Sequence, residues 1–162
     1  MRTGRGIGGA AAAALVIATL LVGSGPAGAT SAEVPFRAEA EGHIAPTSET
    51  TTAWSGTGLA THLGTVAGAG SIAITGGDES CPGGLANVHT ATLTAADGAT
   101  LTLTSSDVAC PVSAHEFQGS GHWTVTGGTG RFAGVTGSGL VFGHANFATG
   151  AFTVRWTGSL VL

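Results

Sequence analysis

The sequence predicts an all-β protein, a small antiparallel barrel of about eight strands that follows an N-terminal export leader. Three observations carry that prediction. Apolar and polar residues alternate with period two almost without a break after residue 30, and no segment there has helical periodicity. Glycine accounts for 29 of the 162 residues and falls both between and within the alternating runs, where it makes turns and lets strands bend. The stretch Gly127-Gly128-Thr129-Gly130-Arg131-Phe132-Ala133-Gly134-Val135-Thr136-Gly137-Ser138-Gly139 combines the two, a glycine turn feeding a glycine-dotted strand. A closed and strongly curved barrel needs such a strand.

The leader comes first. Arg2 and Arg5 form a short basic region, Ile7 to Val22 is an apolar run, and Ser24-Gly25-Pro26 breaks it. Ala27-Gly28-Ala29 is the small-x-small pattern of a signal-peptidase site, so residues 1–29 read as a signal peptide cleaved after Ala29. Residues 30–33 read as a flexible leader and 34–162 as one barrel domain. The protein is then secreted, with no membrane insertion after cleavage.

Without residues 1–29 the only arginines are Arg37, Arg131 and Arg155, against nine carboxylates, and lysine is absent. The formal charge is −6 with histidine neutral. Such a surface releases few counterions from a phosphate backbone, which argues against nucleic acid as a partner. Trp54, Trp123 and Trp156, with six phenylalanines, supply enough bulk for a core.

The elements follow in order. Phe36, Ala38, Ala40, Gly42 and Ile44 alternate with Arg37, Glu39, Glu41 and His43, giving a first strand with a wet outer face. Thr50 to Gly56 is a short strand containing Trp54. Gly58 to Gly64 and Thr65 to Thr75 form one long bent strand or two short ones, and Gly76 to Gly84 is a loop. Val88 to Ala95 and Ala99 to Ser105 make a hairpin whose register the residues select. A three-residue loop pairs Thr94 with Thr100, Leu93 with Leu101 and Ala91 with Leu103, which puts the leucines on one face and the threonines on the other. Gly98 then takes the left-handed position. Asp107 to Ala114 reads as a second loop. Phe117, Gly119, Gly121, Trp123 and Val125 share one face of the next strand. Phe152, Val154, Trp156, Gly158 and Leu160 share one face of the last. Short connections favour a meander; a sandwich and a β-solenoid are the alternatives, and no fixed repeat supports the solenoid.

Cys81 and Cys110 are the only cysteines, and in an exported chain an even pair reads as a disulfide. Closing a loop of about 30 residues stabilises by roughly 3–4 kcal/mol in the chain-entropy model. No metal site or cofactor is signalled, because none of the six histidines is spaced as a ligand pair.

The Gly127–Gly137 run resembles the turn-and-strand signature of the allene oxide cyclase and dirigent families. Gly58-Leu59-Ala60-Thr61-His62-Leu63-Gly64 is similar to a motif of exported bacterial proteins assigned to the same barrel superfamily. The resemblance implies an eight-stranded antiparallel barrel, often trimeric, with an apolar cavity. In the plant relatives that cavity handles a fatty-acid epoxide or a phenolic radical. Their catalytic groups have no counterpart here residue by residue, and this chain has no tyrosine.

His62 sits between Ala60 and Gly64 on a small-residue face, where a bulky polar group lines or fills a cavity. With Phe117, Trp123, Phe152 and Trp156 it forms the candidate cavity lining. Bulky inward side chains fill a small barrel, whereas inward glycines and alanines leave room. Three functions follow as expectations. The first is a non-catalytic module or a binder of a small apolar ligand in the barrel. The second is an isomerase or cyclase using a cavity polar group such as His62. The third is a surface glycan-binding or adhesive module using the rows Thr90, Thr92, Thr94 and Thr100, Thr102, Thr104. A sheet edge left open by incomplete closure would favour a homo-oligomer.

Overall fold

The computed structural model describes residues 32–162, so the expected signal peptide and residues 30 and 31 lie outside the described residues. Glu33, expected in the leader, already belongs to the first strand and pairs with Val161. Eight strands follow in chain order: β1 (Glu33–Pro46), β2 (Thr51–Ala60), β3 (Gly64–Asp78), β4 (Gly84–Ala95), β5 (Thr100–Pro111), β6 (Glu116–Gly128), β7 (Thr136–Asn146) and β8 (Ala151–Val161). Each pairs antiparallel with the next, and β8 returns to β1, so the sheet closes on itself as a meander barrel. Among the described residues closure leaves no strand edge unpaired.

The alternation read from the sequence sets the two faces. Phe36, Ala38, Ala40 and Ile44 of β1 are buried while Arg37, Glu39, Glu41 and His43 are exposed. The β4–β5 hairpin has the expected register, with Thr94 opposite Thr100, Leu93 opposite Leu101 and Ala91 opposite Leu103. Gly98 turns it at φ 82°, a conformation that carries no penalty without a Cβ. Leu93, Leu101, Leu103, Leu160 and Val66 are essentially inaccessible and form the densest part of the core.

Two indoles bridge the barrel wall in the same way. Trp54 on β2 faces Gly70 on β3, and its N–H donates to the Thr90 carbonyl of β4 at 3.2 Å. Four strands later Trp123 on β6 faces Gly139 on β7 and donates to the Thr157 carbonyl of β8, also at 3.2 Å. A Cβ on either glycine would collide with the carbonyl oxygen that the indole reaches. The glycines therefore let the neighbouring strand approach closely beneath each tryptophan.

Besides β3, which runs on to Asp78 where a loop is expected from Gly76, three stretches differ from the sequence reading. First, β2 runs on to Ala60 and the chain turns at Thr61–Leu63, with Leu63 buried and His62 at φ 67°. The apparent alternation Ala60, His62, Gly64 therefore crosses a turn and does not define one face. Second, Asp107 is not in a loop: β5 continues to Pro111, paired on both sides. Third, Gly130–Phe132 forms a single 3-10 turn, and β7 starts only at Thr136. That turn folds Phe132 into the core, 2% exposed, and Arg131 stacks over its ring at 4.8 Å.

Candidate functional site

The two ends of the barrel differ. One end carries both ends of the described chain and the turns after β2, β4 and β6, and there Leu63, Phe132, Leu160 and Ala99 are all buried. The other end carries the turns after β1, β3, β5 and β7. Its inward residues Ile72, Ile74, Phe117 and Ala145 are only half-buried. In the β6–β7 wall Gly119 faces Gly143, and a Cβ on either would find no atom nearer than 3.7 and 3.6 Å respectively. Where Trp54 packs over Gly68, the same test gives 2.9 Å. The barrel is thus packed through its middle and closed end, and is more open to solvent at the other, its mouth.

Polar side chains line that mouth on β4 and β5. The register pairs Asn87 with Asp107 and His89 with Ser105, on the same face as the leucines. Asn87, Ser105 and Asp107 are buried, and the Asp107 side chain is 4% exposed. A carboxylate removed from water is costly unless its oxygens are matched. Here Asn87 Nδ2 donates to Asp107 Oδ1 at 3.3 Å and also to the Leu85 carbonyl at 3.3 Å, while His89 Nε2 lies 3.1 Å from Asp107 Oδ2. The His89 side chain is 21% exposed, and its register faces inward. The arrangement is an imidazole held by a buried carboxylate at the entrance of an apolar barrel. Such a pair orients a histidine for hydrogen bonding or proton transfer.

The residues singled out from the sequence are distributed as follows. Trp123, Phe152 and Trp156 are buried inside the barrel, where Trp54 packs on Phe152 at 5.1 Å and on Trp156 at 6.3 Å, and Phe36 packs edge-on to Trp123 at 5.3 Å. They are filled core more than cavity wall. Phe117 lies at the mouth, edge-on to Phe147 at 5.7 Å. His62 is exposed in the β2–β3 turn at the closed end, its Nε2 3.0 Å from the Pro35 carbonyl, and does not face the interior. Cys81 and Cys110 form the expected disulfide, joining the β3–β4 turn to the end of β5 at the mouth rim.

The sequence reading passed over His89 and Asp107, yet the signal was present. Extending the leucine register of the β4–β5 hairpin by two further steps puts His89 opposite Ser105 and Asn87 opposite Asp107, all on the core face. Aspartate's low strand propensity hid it by pointing to a loop.

The outer wall offers other surfaces. The threonine rows pair across strands, with Thr92 and Thr102 hydroxyls 3.4 Å apart and Thr104 and Thr126 3.1 Å apart. Many of these hydroxyls are thus spent on one another. A concavity of about 690 Å3 lies outside the barrel over β1 and β8. Leu59 and Phe142 flank it, and the Glu39–Arg155 ion pair, 2.8 Å apart and more than half exposed, lies on its floor. Its charges are solvent-exposed and screened. Among the described residues no three His, Cys, Asp or Glu side chains are grouped as a metal ion would require. No family model and no curated protein matches the chain.

Proposed function

We propose that the protein is an exported β-barrel that holds a small, largely apolar molecule in its mouth without transforming it. The observation that carries this reading is Asp107. Its carboxylate is buried on the inner wall, accepts from Asn87 and lies 3.1 Å from His89, beside a stretch of wall where a Cβ on Gly119 or Gly143 would make only ordinary contacts. A buried ionic group in an apolar barrel costs stability, and the apolar rim of Ile72, Ile74 and Phe117 suits an apolar guest. Export is supported by the leader-like residues 1–29 and by the disulfide. The meander barrel agrees with what the resemblance to the allene oxide cyclase and dirigent families implies for fold.

A second reading, an isomerase or cyclase, draws on the same pair. The inward acid–base group would then be His89 in place of His62.

Native mass spectrometry of the protein recovered from the medium of its own host tests the first reading. A retained organic mass, lost when Gly119 is replaced by leucine to fill the mouth, is the expected result. A bare protein that also takes up no apolar probe on titration would overturn it.

A further inference from the structure

We propose that the outer wall formed by β7, β8, β1 and β2 is the docking face for a second copy of this chain. The two copies are related by a two-fold axis that runs parallel to the strands. One row of the register carries the argument. Phe142 pairs with Arg155, Arg155 with Glu39, and Glu39 with Leu59, so the row reads apolar, positive, negative, apolar from β7 to β2. All four side chains are on the outer face: Leu59 is 68% exposed, Phe142 is 49% exposed, and the ion-paired side chains are more than half exposed. An axis lying between β8 and β1 reverses the row of the facing copy. Phe142 then meets the second copy's Leu59, and Arg155 meets the second copy's Glu39. Symmetry makes each contact twice.

The rows on either side obey the same rule. Toward the mouth, Glu41 pairs with Thr153, and the axis sets it opposite the second copy's Thr153. Toward the closed end, Arg37 pairs with Thr157 and faces the second copy's Thr157. A hydroxyl can donate to the carboxylate and accept from the guanidinium, so no like charges oppose one another in the three rows. An axis lying along the row would instead set Arg155 on Arg155 and Glu39 on Glu39. The row therefore selects the axis parallel to the strands.

Charge also singles out this wall. After residue 29 the chain has a formal charge of −6 and three arginines, and Arg37 and Arg155 both stand here. Two acidic copies repel one another in general, and they are drawn together where opposite charges face. Leu59 and Phe142 flank the concavity that holds the Glu39–Arg155 pair. Covered by the same residues of a second copy, they shut water out around four alternating charges, which strengthens pairs that count for little in solvent. With every strand edge paired, association runs through side chains of the wall and not through the backbone.

The test is sedimentation velocity of the disulfide-bonded protein and of its Glu39→Arg and Arg155→Glu variants. The wild type is expected to pass from monomer to dimer between about 1 μM and 1 mM, as a small interface does. Each variant alone is expected to dimerise at least about tenfold more weakly, because like charges then face across the axis. An equimolar mixture of the two variants is expected to recover the dimer, since a copy with two positive charges meets a copy with two negative ones. Tryptophan emission shows that each variant is folded. A wild type that stays monomeric throughout, or that forms a trimer, would overturn the inference. A dimer unmoved by either variant would put the contact elsewhere and overturn it too. A mixture no stronger than its components would overturn the facing order. Should a charge variant fail to fold, Leu59→Ser replaces it, at an exposed position, and is expected to weaken the dimer about tenfold. An unchanged dimer in that variant would likewise overturn the proposal.

Discussion

The Trp54 indole reaches over Gly70 to the carbonyl of Thr90, joining β2 to β4 across the strand between them. Trp123 repeats the relationship over Gly139 to Thr157. Each bridge satisfies a buried indole N–H over a glycine where the neighbouring strand comes close. The two tryptophans also supply much of the volume that fills the barrel.

Replacing Gly70 with alanine is expected to destabilise the protein by about 1–3 kcal/mol, because the new methyl must displace either the indole or a strand carbonyl. Gly139→Ala should behave alike. Gly76→Ala is the control, since nothing lies within 4 Å of the added carbon, and it should stay within about 0.5 kcal/mol of the parent. Urea denaturation followed by tryptophan fluorescence makes the comparison.

Asn87→Ala is expected to cost about 1–3 kcal/mol by leaving Asp107 Oδ1 buried without its donor. A double-mutant cycle with Asp107→Ala should return a coupling of about 0.5–3 kcal/mol, as for contacting polar groups. Additive losses would mean that the two side chains act independently.

Reduction of the Cys81–Cys110 bond is expected to lower the unfolding free energy by roughly 3–4 kcal/mol. The bond lies at the mouth rim, away from the tryptophans, so native emission should be nearly unchanged while the denaturation midpoint falls. A native emission shift on reduction would show that the rim and the packed middle are coupled.

The Asp78 carboxyl titrates below its ordinary value because the Ser80 hydroxyl, and then the Ser80 backbone N–H, donate to it. A depressed native value stabilises the fold above the unfolded-state value, and the gain is lost as pH falls through the native one. Carbon-detected NMR of Asp78 should show the low midpoint, and Ser80→Ala should move it up toward the ordinary carboxylate range.

How far the sequence could be read depended on what each residue type signals. Alternation in β1, β6 and β8 gave inward faces that the structure keeps, because the side-chain period of a strand is two whatever its partner. The Leu93–Leu101 pairing was legible because only one loop length puts both leucines inside. Alternation misled at His62, since a turn between Ala60 and Gly64 preserves the spacing while ending the face. Composition misled at Asp107, since local propensity reads an aspartate as loop, whereas its partners Asn87 and His89 come from the neighbouring strand.

The pairing of Glu33 with Val161, and the hydrogen bond from the Leu162 amide to the Ala32 carbonyl at 3.1 Å, bring the two ends of the described chain side by side at the closed end. A short peptide joining them would therefore span almost no distance, and new termini could be opened in the exposed β7–β8 connection between Asn146 and Ala151. Such a circular permutant should retain the barrel. It would also turn the barrel into a carrier, with fused cargo at the mouth end and an uninterrupted seam where the chain once began.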